Sequence, residues 1–75
     1  ENEEDNSVSG KILEKCLDEL DNEFKNIIIL RDIQELSYDE ISKILQIPLG
    51  TVKSRINRGR FKLKDLLKQK GVTLY

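Results

Sequence analysis

Histidine, tryptophan and methionine are absent from this 75-residue chain, and cysteine and proline occur once each. Without histidine, and with a single thiol, the chain lacks the ligand set of a zinc finger, an imidazole acid or base, and any internal disulfide. Aromatic residues make up only 5% of the sequence. The core must therefore be isoleucine, leucine and valine, and with abundant lysine and glutamate this favours helices over strands. No apolar run approaches the roughly 20 residues of a membrane span, and no basic-then-apolar signal segment opens the chain. A glycine loop that could cradle phosphates is missing too, as is any obvious metal cluster. The expectation is a protein that is not an enzyme, carries no cofactor and has no membrane partner. The lone Cys16 fits a reducing cytosol. It falls inside an apolar stripe and reads as a core residue.

What is present is one small domain's worth of chain, with a correspondingly modest core. A net charge of −1 conceals a strong asymmetry. Residues 1–50 hold five basic and thirteen acidic side chains, a net of −8, whereas residues 51–75 hold eight basic side chains and one acid, Asp65, a net of +7. Such an asymmetry points to a polyanion partner at the basic end, with a solvated helix face as the plain alternative. The acidic half is expected to face away from that partner and to be free to meet a basic protein surface.

Residues 1–7 are charged, polar and aperiodic, and read as a linker or disordered remnant of a longer chain. Residues 8–75 form the domain. From Val8 an apolar stripe of Ile12, Leu13, Cys16, Leu17 and Leu20 has helical spacing, with Ser7 or Ser9 as its cap. Asp21 is the expected N-cap of a second helix, striped by Phe24, Ile27 and Ile28, that ends near Ile33-Gln34. The quartet Ser37-Tyr38-Asp39-Glu40 is a capping box. It opens a third helix with Ile41, Ile44 and Leu45 inward. Pro48 ends that segment and fits the first turn of a fourth helix, running to about Lys68 with Gly71 as its C′ residue.

The fourth helix divides cleanly by phase, at about 100° per residue. Val52, Ile56, Gly59, Leu63, Leu66 and Leu67 form its inward face. Ser54, Asn57, Arg58 and Phe61 lie opposite, with Lys53, Arg55, Arg60 and Lys62 on the flanks. Helices three and four are separated by little more than Gln46-Ile47. A short helix, a tight turn and a helix with a polar-basic outer face make a helix-turn-helix. The major groove of B-DNA admits one helix, whose N-terminal side chains reach base edges. On this reading Ser54, Asn57 and Arg58 face the bases, and phase leaves Lys53 open between the groove edge and the phosphate backbone. Arg55, Arg60 and Lys62 reach phosphates, as do Thr51 and the backbone N–H groups near Gly50. A basic helical hairpin could also be a protein-binding bundle. Phe61, on the groove-facing side, is expected to fold back onto the neighbouring helix. Thymine-methyl contact and a partner surface are the alternatives.

The stretch Leu36-Ser37-Tyr38-Asp39-Glu40-Ile41-Ser42, followed by Pro48-Leu49-Gly50-Thr51-Val52-Lys53-Ser54-Arg55 and Ile56-Asn57-Arg58-Gly59-Arg60, resembles region 4 of the sigma-70 family. That region is the family's C-terminal DNA-binding domain, and the likeness is strongest to the extracytoplasmic-function group. It covers about Leu13 to Leu67. The group often has proline at Asp21, glycine at Glu35 and alanine at Gly59. The resemblance implies an all-α, four-helix domain of the winged-helix-like superfamily without a wing. It further implies a cytoplasmic protein that binds the minus-35 element of double-stranded promoter DNA within RNA polymerase holoenzyme, its first helices on the flap of the β subunit. An anti-sigma factor is a further partner the group often has. The same resemblance assigns Lys53, Ser54, Asn57 and Arg58 to the groove, and Thr51, Arg55 and Arg60 to the phosphates. Two rival readings are a LuxR-type response-regulator output domain, which shares Thr51-Val52-Lys53, and a module bound mainly by an anti-sigma factor.

Overall fold

The computed structural model describes residues 10–71. The expected linker over residues 1–7, and the caps at Ser7 and Ser9, lie outside them. Each apolar stripe becomes a helix: α1 (Gly10–Glu19), α2 (Asn22–Ile28), α3 (Tyr38–Leu45) and α4 (Leu49–Gln69). No strand forms among the described residues. The second helix does not stop at Ile28 but widens into a π turn over Ile29–Ile33. Helix α4 packs against α1, α2 and α3. The core is Leu17, Leu20, Phe24, Ile27, Ile28, Ile41, Val52 and Ile56, with Leu13, Leu30, Leu36, Tyr38, Leu45, Ile47, Leu63 and Leu66 packed around it. Cys16 is fully buried, as a core residue should be.

One inward assignment is corrected. Ile44 is 56% exposed. The buried side of α3 is set by Tyr38, Ile41 and Leu45, spaced three and four apart. At about 100° per residue Ile44 falls well outside that arc, so the spacing of one between Ile44 and Leu45 separates them onto different faces.

Helix ends show which local signals operate. Asp21 does precede α2, yet its carboxylate makes no capping bond. Its carbonyl instead accepts from the N–H groups of Phe24 and Lys25, at 3.0 and 2.9 Å. At α3 the capping box is complete. The Glu40 N–H donates to Ser37 Oγ at 3.1 Å, and the Ser37 N–H donates to Glu40 Oε1 at 2.8 Å. That backbone N–H, and then the Ser37 hydroxyl, hold the Glu40 carboxyl below its ordinary pKa. A folded-state pKa lowered in this way stabilises the fold above the ordinary carboxylate range. The contribution is lost as pH falls through the lowered value. Pro48 sits one residue earlier than expected, as the N-cap of α4 rather than in its first turn. Its ψ of 150° is extended. At the far end Gly71 takes φ +84°, the left-handed C′ position that glycine fills without a Cβ clash.

Glu35 is left-handed as well, at φ 59°, although it carries a side chain. It follows the π turn, where the chain reverses and Leu36 N–H returns to Leu30 O at 3.0 Å. A non-glycine residue pays about 1 kcal/mol or more for this conformation. Glu35→Gly is therefore expected to raise stability by roughly 0.5–1 kcal/mol, after allowing for the extra freedom glycine has when unfolded. The urea midpoint checks this, and an unchanged or lower midpoint would show that Glu35 is not strained.

Candidate nucleic-acid interface

The turn between α3 and α4 sets the angle at which α4 is presented. Gln46 takes the left-handed conformation (φ 58°, ψ 48°), and its N–H returns to Ser42 O. Ile47 N–H donates to the same carbonyl at 3.2 Å. The Ser42 hydroxyl then donates to Ile47 O at 2.6 Å, closing the turn from its other side. These three bonds leave the turn few backbone groups to satisfy, which suits a segment only partly covered by the core.

Beyond the turn, α4 has an apolar floor and a polar roof. Val52 and Ile56 are completely buried, and Gly59 and Leu67 are buried with them. Gly59 matters for contact distance rather than flexibility. A Cβ there would meet Ile28 Cγ1 at 3.1 Å, Ile28 Cδ1 at 3.3 Å and Phe24 Cβ at 3.4 Å. Its bare backbone lets α2 and α4 approach closely. The propensity cost of about 1 kcal/mol relative to alanine is thus offset by packing.

On the opposite side Lys53, Ser54, Asn57 and Arg58 are all exposed, one after another along the first half of the helix. Lys53 and Arg58 form no ion pair with any described residue. Ser54 Oγ donates back to Thr51 O at 3.2 Å, so its hydroxyl must turn outward to meet a ligand. Gly50 is exposed at the first turn and Thr51 half-buried. The amino-terminal N–H groups of α4 lack helical partners, as at any helix start.

The cationic flanks are arranged differently from the roof. Arg60 donates from Nε to Asp32 Oδ2 at 3.1 Å and from Nη2 to Asp32 Oδ1. The hydrogen bond to Asp32 is the main influence raising the pKa of Arg60 still further. Arg55 leans toward Glu23, with 3.8 Å between Nη2 and Oε1. The Lys62 ammonium lies 5.7 Å from the centre of the Phe24 ring. At the end of the helix Lys70 Nζ meets Glu19 Oε2 at 2.9 Å, which raises the Lys70 pKa. Three of the expected phosphate-contacting side chains are therefore engaged with α2 or its π turn. Glu23 and Asp32, from the acidic half, pair with the flanks of α4.

Phe61 does not fold onto a neighbouring helix: it is 75% exposed. It stands almost diametrically opposite Val52 and Gly59 on α4, beyond the reach of the elements that pack the floor. Lys62, one residue on, is the side chain that reaches Phe24.

An α-helical domain in which a clamped turn presents an exposed polar-basic strip on its last helix is a helix-turn-helix domain. A family model described as Sigma-70, region 4, matches residues 10–63, and the chain belongs to that family. It is 50% identical over 58 residues to the ECF RNA polymerase sigma factor SigE of Mycolicibacterium smegmatis, covering 77% of this chain and 23% of that protein. Over 63 residues it is 44% identical to the ECF RNA polymerase sigma factor SigW of Bacillus subtilis, covering 84% of this chain and 31% of the relative. With the ECF RNA polymerase sigma-E factor of Escherichia coli it shares 40% identity over 50 residues, 67% of this chain and 26% of the relative. These relatives place the chain with the ECF group and replace the LuxR-type reading. The chain spans less than a third of the length of each.

Proposed function

We propose that this domain recognises the minus-35 element of promoter DNA in transcription initiation, as the region 4 of a sigma factor bound to RNA polymerase. The observation that carries this is the division of α4. Its exposed strip of Lys53, Ser54, Asn57 and Arg58 lies directly behind a fully buried floor of Val52 and Ile56. A helix seated in the major groove needs both. Lys53 and Arg58 offer donors to guanine edges, and Asn57 suits adenine. Thr51 and the N–H groups near Gly50 meet one phosphate wall, while Arg55, Arg60 and Lys62 supply the cations on the flanks. The first helices dock on the flap of the polymerase β subunit, away from the DNA-facing strip. The reaction belongs to the polymerase, this domain supplies binding, and its setting is the bacterial cytoplasm. Among the described residues no helix is long and apolar enough to cross a membrane.

A second reading, occlusion by an anti-sigma factor, is favoured by one feature. Phe61 is a large aromatic left 75% exposed on the same helix, and aromatic anchors with cationic neighbours recur in protein interfaces. The two readings are compatible, since a partner seated on Phe61 would also cover Arg58.

Selection of randomised duplexes by the 75-residue chain, at two salt concentrations, tests the main proposal. A short enriched motif is expected, with about three to six phosphate contacts giving a log–log salt slope of about −3 to −5. Enrichment of no motif, or affinity indifferent to salt, would refute it. Affinity of the isolated domain is expected to be modest, because tethering to polymerase and to a second promoter contact raises effective concentration.

A further inference from the structure

The pairing of Arg60 with Asp32 reaches across 28 residues, and two unusual features produce it. Gly59, the residue before Arg60, brings α4 against Ile28. Immediately after Ile28 the backbone widens into the π turn Ile29–Ile33, which carries Asp32. Wide turns of this kind often re-aim side chains at functional sites. The neighbouring Arg31 is held separately, its Nη1 on Leu36 O at 2.8 Å and its guanidinium 4.8 Å from the Tyr38 ring centre. It therefore does not compete for the Asp32 carboxylate.

The geometry of the pair is side-on. Asp32 takes one N–H from Nε and one from Nη2 of Arg60, two of the five that a guanidinium carries. The remaining three lie on the outer edge, and Arg60 is still 45% exposed. We propose that Asp32 is a positioning residue for DNA binding, fixing the Arg60 guanidinium so that its free edge meets a backbone phosphate. This rests on the DNA-binding reading above and adds a residue that lies outside the helix-turn-helix.

Two effects of Asp32 oppose each other. Immobilising a long side chain on binding weakens affinity by roughly two- to tenfold, and Asp32 removes that loss by ordering Arg60 beforehand. Its negative charge also repels phosphate, by about two- to threefold in affinity at a separation of roughly 7 Å in water before ionic screening, and by less as salt is added. Ordering is therefore expected to prevail at physiological salt, and repulsion to offset part of it at low salt.

A double-mutant cycle on the 75-residue chain separates the possibilities, using a fluorescent mixed-sequence duplex of about 20 base pairs, because phosphate contacts are sequence-independent. Asp32→Ala is expected to weaken binding about three- to tenfold at 150 mM salt, less at 50 mM, and to have no effect in the Arg60→Ala background. Asp32→Asn, which keeps the shape and one acceptor, is expected to recover part of the loss. Thermal melts of every variant identify losses caused by unfolding. Tighter binding by Asp32→Ala would mean that Asp32 masks Arg60, and an equal loss in both backgrounds would mean a merely structural role. Either result overturns the proposal. Failure of the unmodified chain to bind any duplex would instead remove the DNA-binding reading, and this inference with it.

Discussion

Ile56→Ala is expected to lower the stability of the domain by about 2–5 kcal/mol. Ile56 is completely buried at the middle of the core, between Val52 and Gly59 on the floor of α4. Truncation removes three methyl or methylene groups and leaves a cavity walled by helices that cannot all close on it. A domain of this size has roughly 4–11 kcal/mol to lose. The variant should therefore lose a large part of that margin, and any loss of DNA binding that follows should be indirect. Urea unfolding followed by circular dichroism measures the change. Binding should return in a stabilising osmolyte, which strengthens burial without adding a contact. A shift below about 1 kcal/mol would mean that Ile56 is not under the packing constraint its burial implies.

The same helix thus carries the core on one side and the proposed reading strip on the other, and this explains what the sequence could and could not convey. The period of α4 is set by burial, so Val52, Ile56, Gly59 and Leu67 were legible as floor and Ser54, Asn57 and Arg58 as roof. The capping box at Ser37 and Glu40 was legible because it is local: both partners lie within one turn. Asp32 was not. Its partner is 28 residues away, and its placement depends on a π turn, which no apolar stripe encodes. The same applies to Glu23 beside Arg55 and to Phe24 beneath Lys62. Ile44 reads as inward from its spacing of three and one with Ile41 and Leu45, whereas phase relative to Tyr38, Ile41 and Leu45 excludes it from the buried arc. Phe61 is already opposite the floor by phase, and its size alone suggests that it folds back; it stays exposed. In each correction the angle around the helix outweighed the hydrophobicity of the residue.

The flanks and the roof of α4 consequently play distinct electrostatic parts. Arg55 and Arg60 have acidic neighbours within the domain. A phosphate approaching them meets a partly compensated charge, and each should release fewer counterions than an isolated cation. Lys53 and Arg58 have no such neighbour among the described residues. Most of the sequence-independent salt dependence should then come from cations outside the two pairs. The pairs themselves contribute orientation, which salt affects little.

Arg58→Ala is expected to weaken binding to a selected duplex by about 1–3 kcal/mol, or roughly five- to 150-fold. Arg58 is exposed at the end of the proposed reading strip, one helical turn beyond Ser54. From there its guanidinium can reach a base edge, where a bidentate contact to guanine O6 and N7 discriminates by about the same amount. Because no acid among the described residues holds it, truncation leaves no buried charge unpaired and should not alter the melting temperature. The loss should be confined to the selected sequence and to one position within it. On a scrambled duplex the same change should cost only the single cation it removes. Binding curves for both duplexes, at matched salt, decide the matter. An identical loss on selected and scrambled DNA would make Arg58 a phosphate contact, and the reading strip would then end at Asn57.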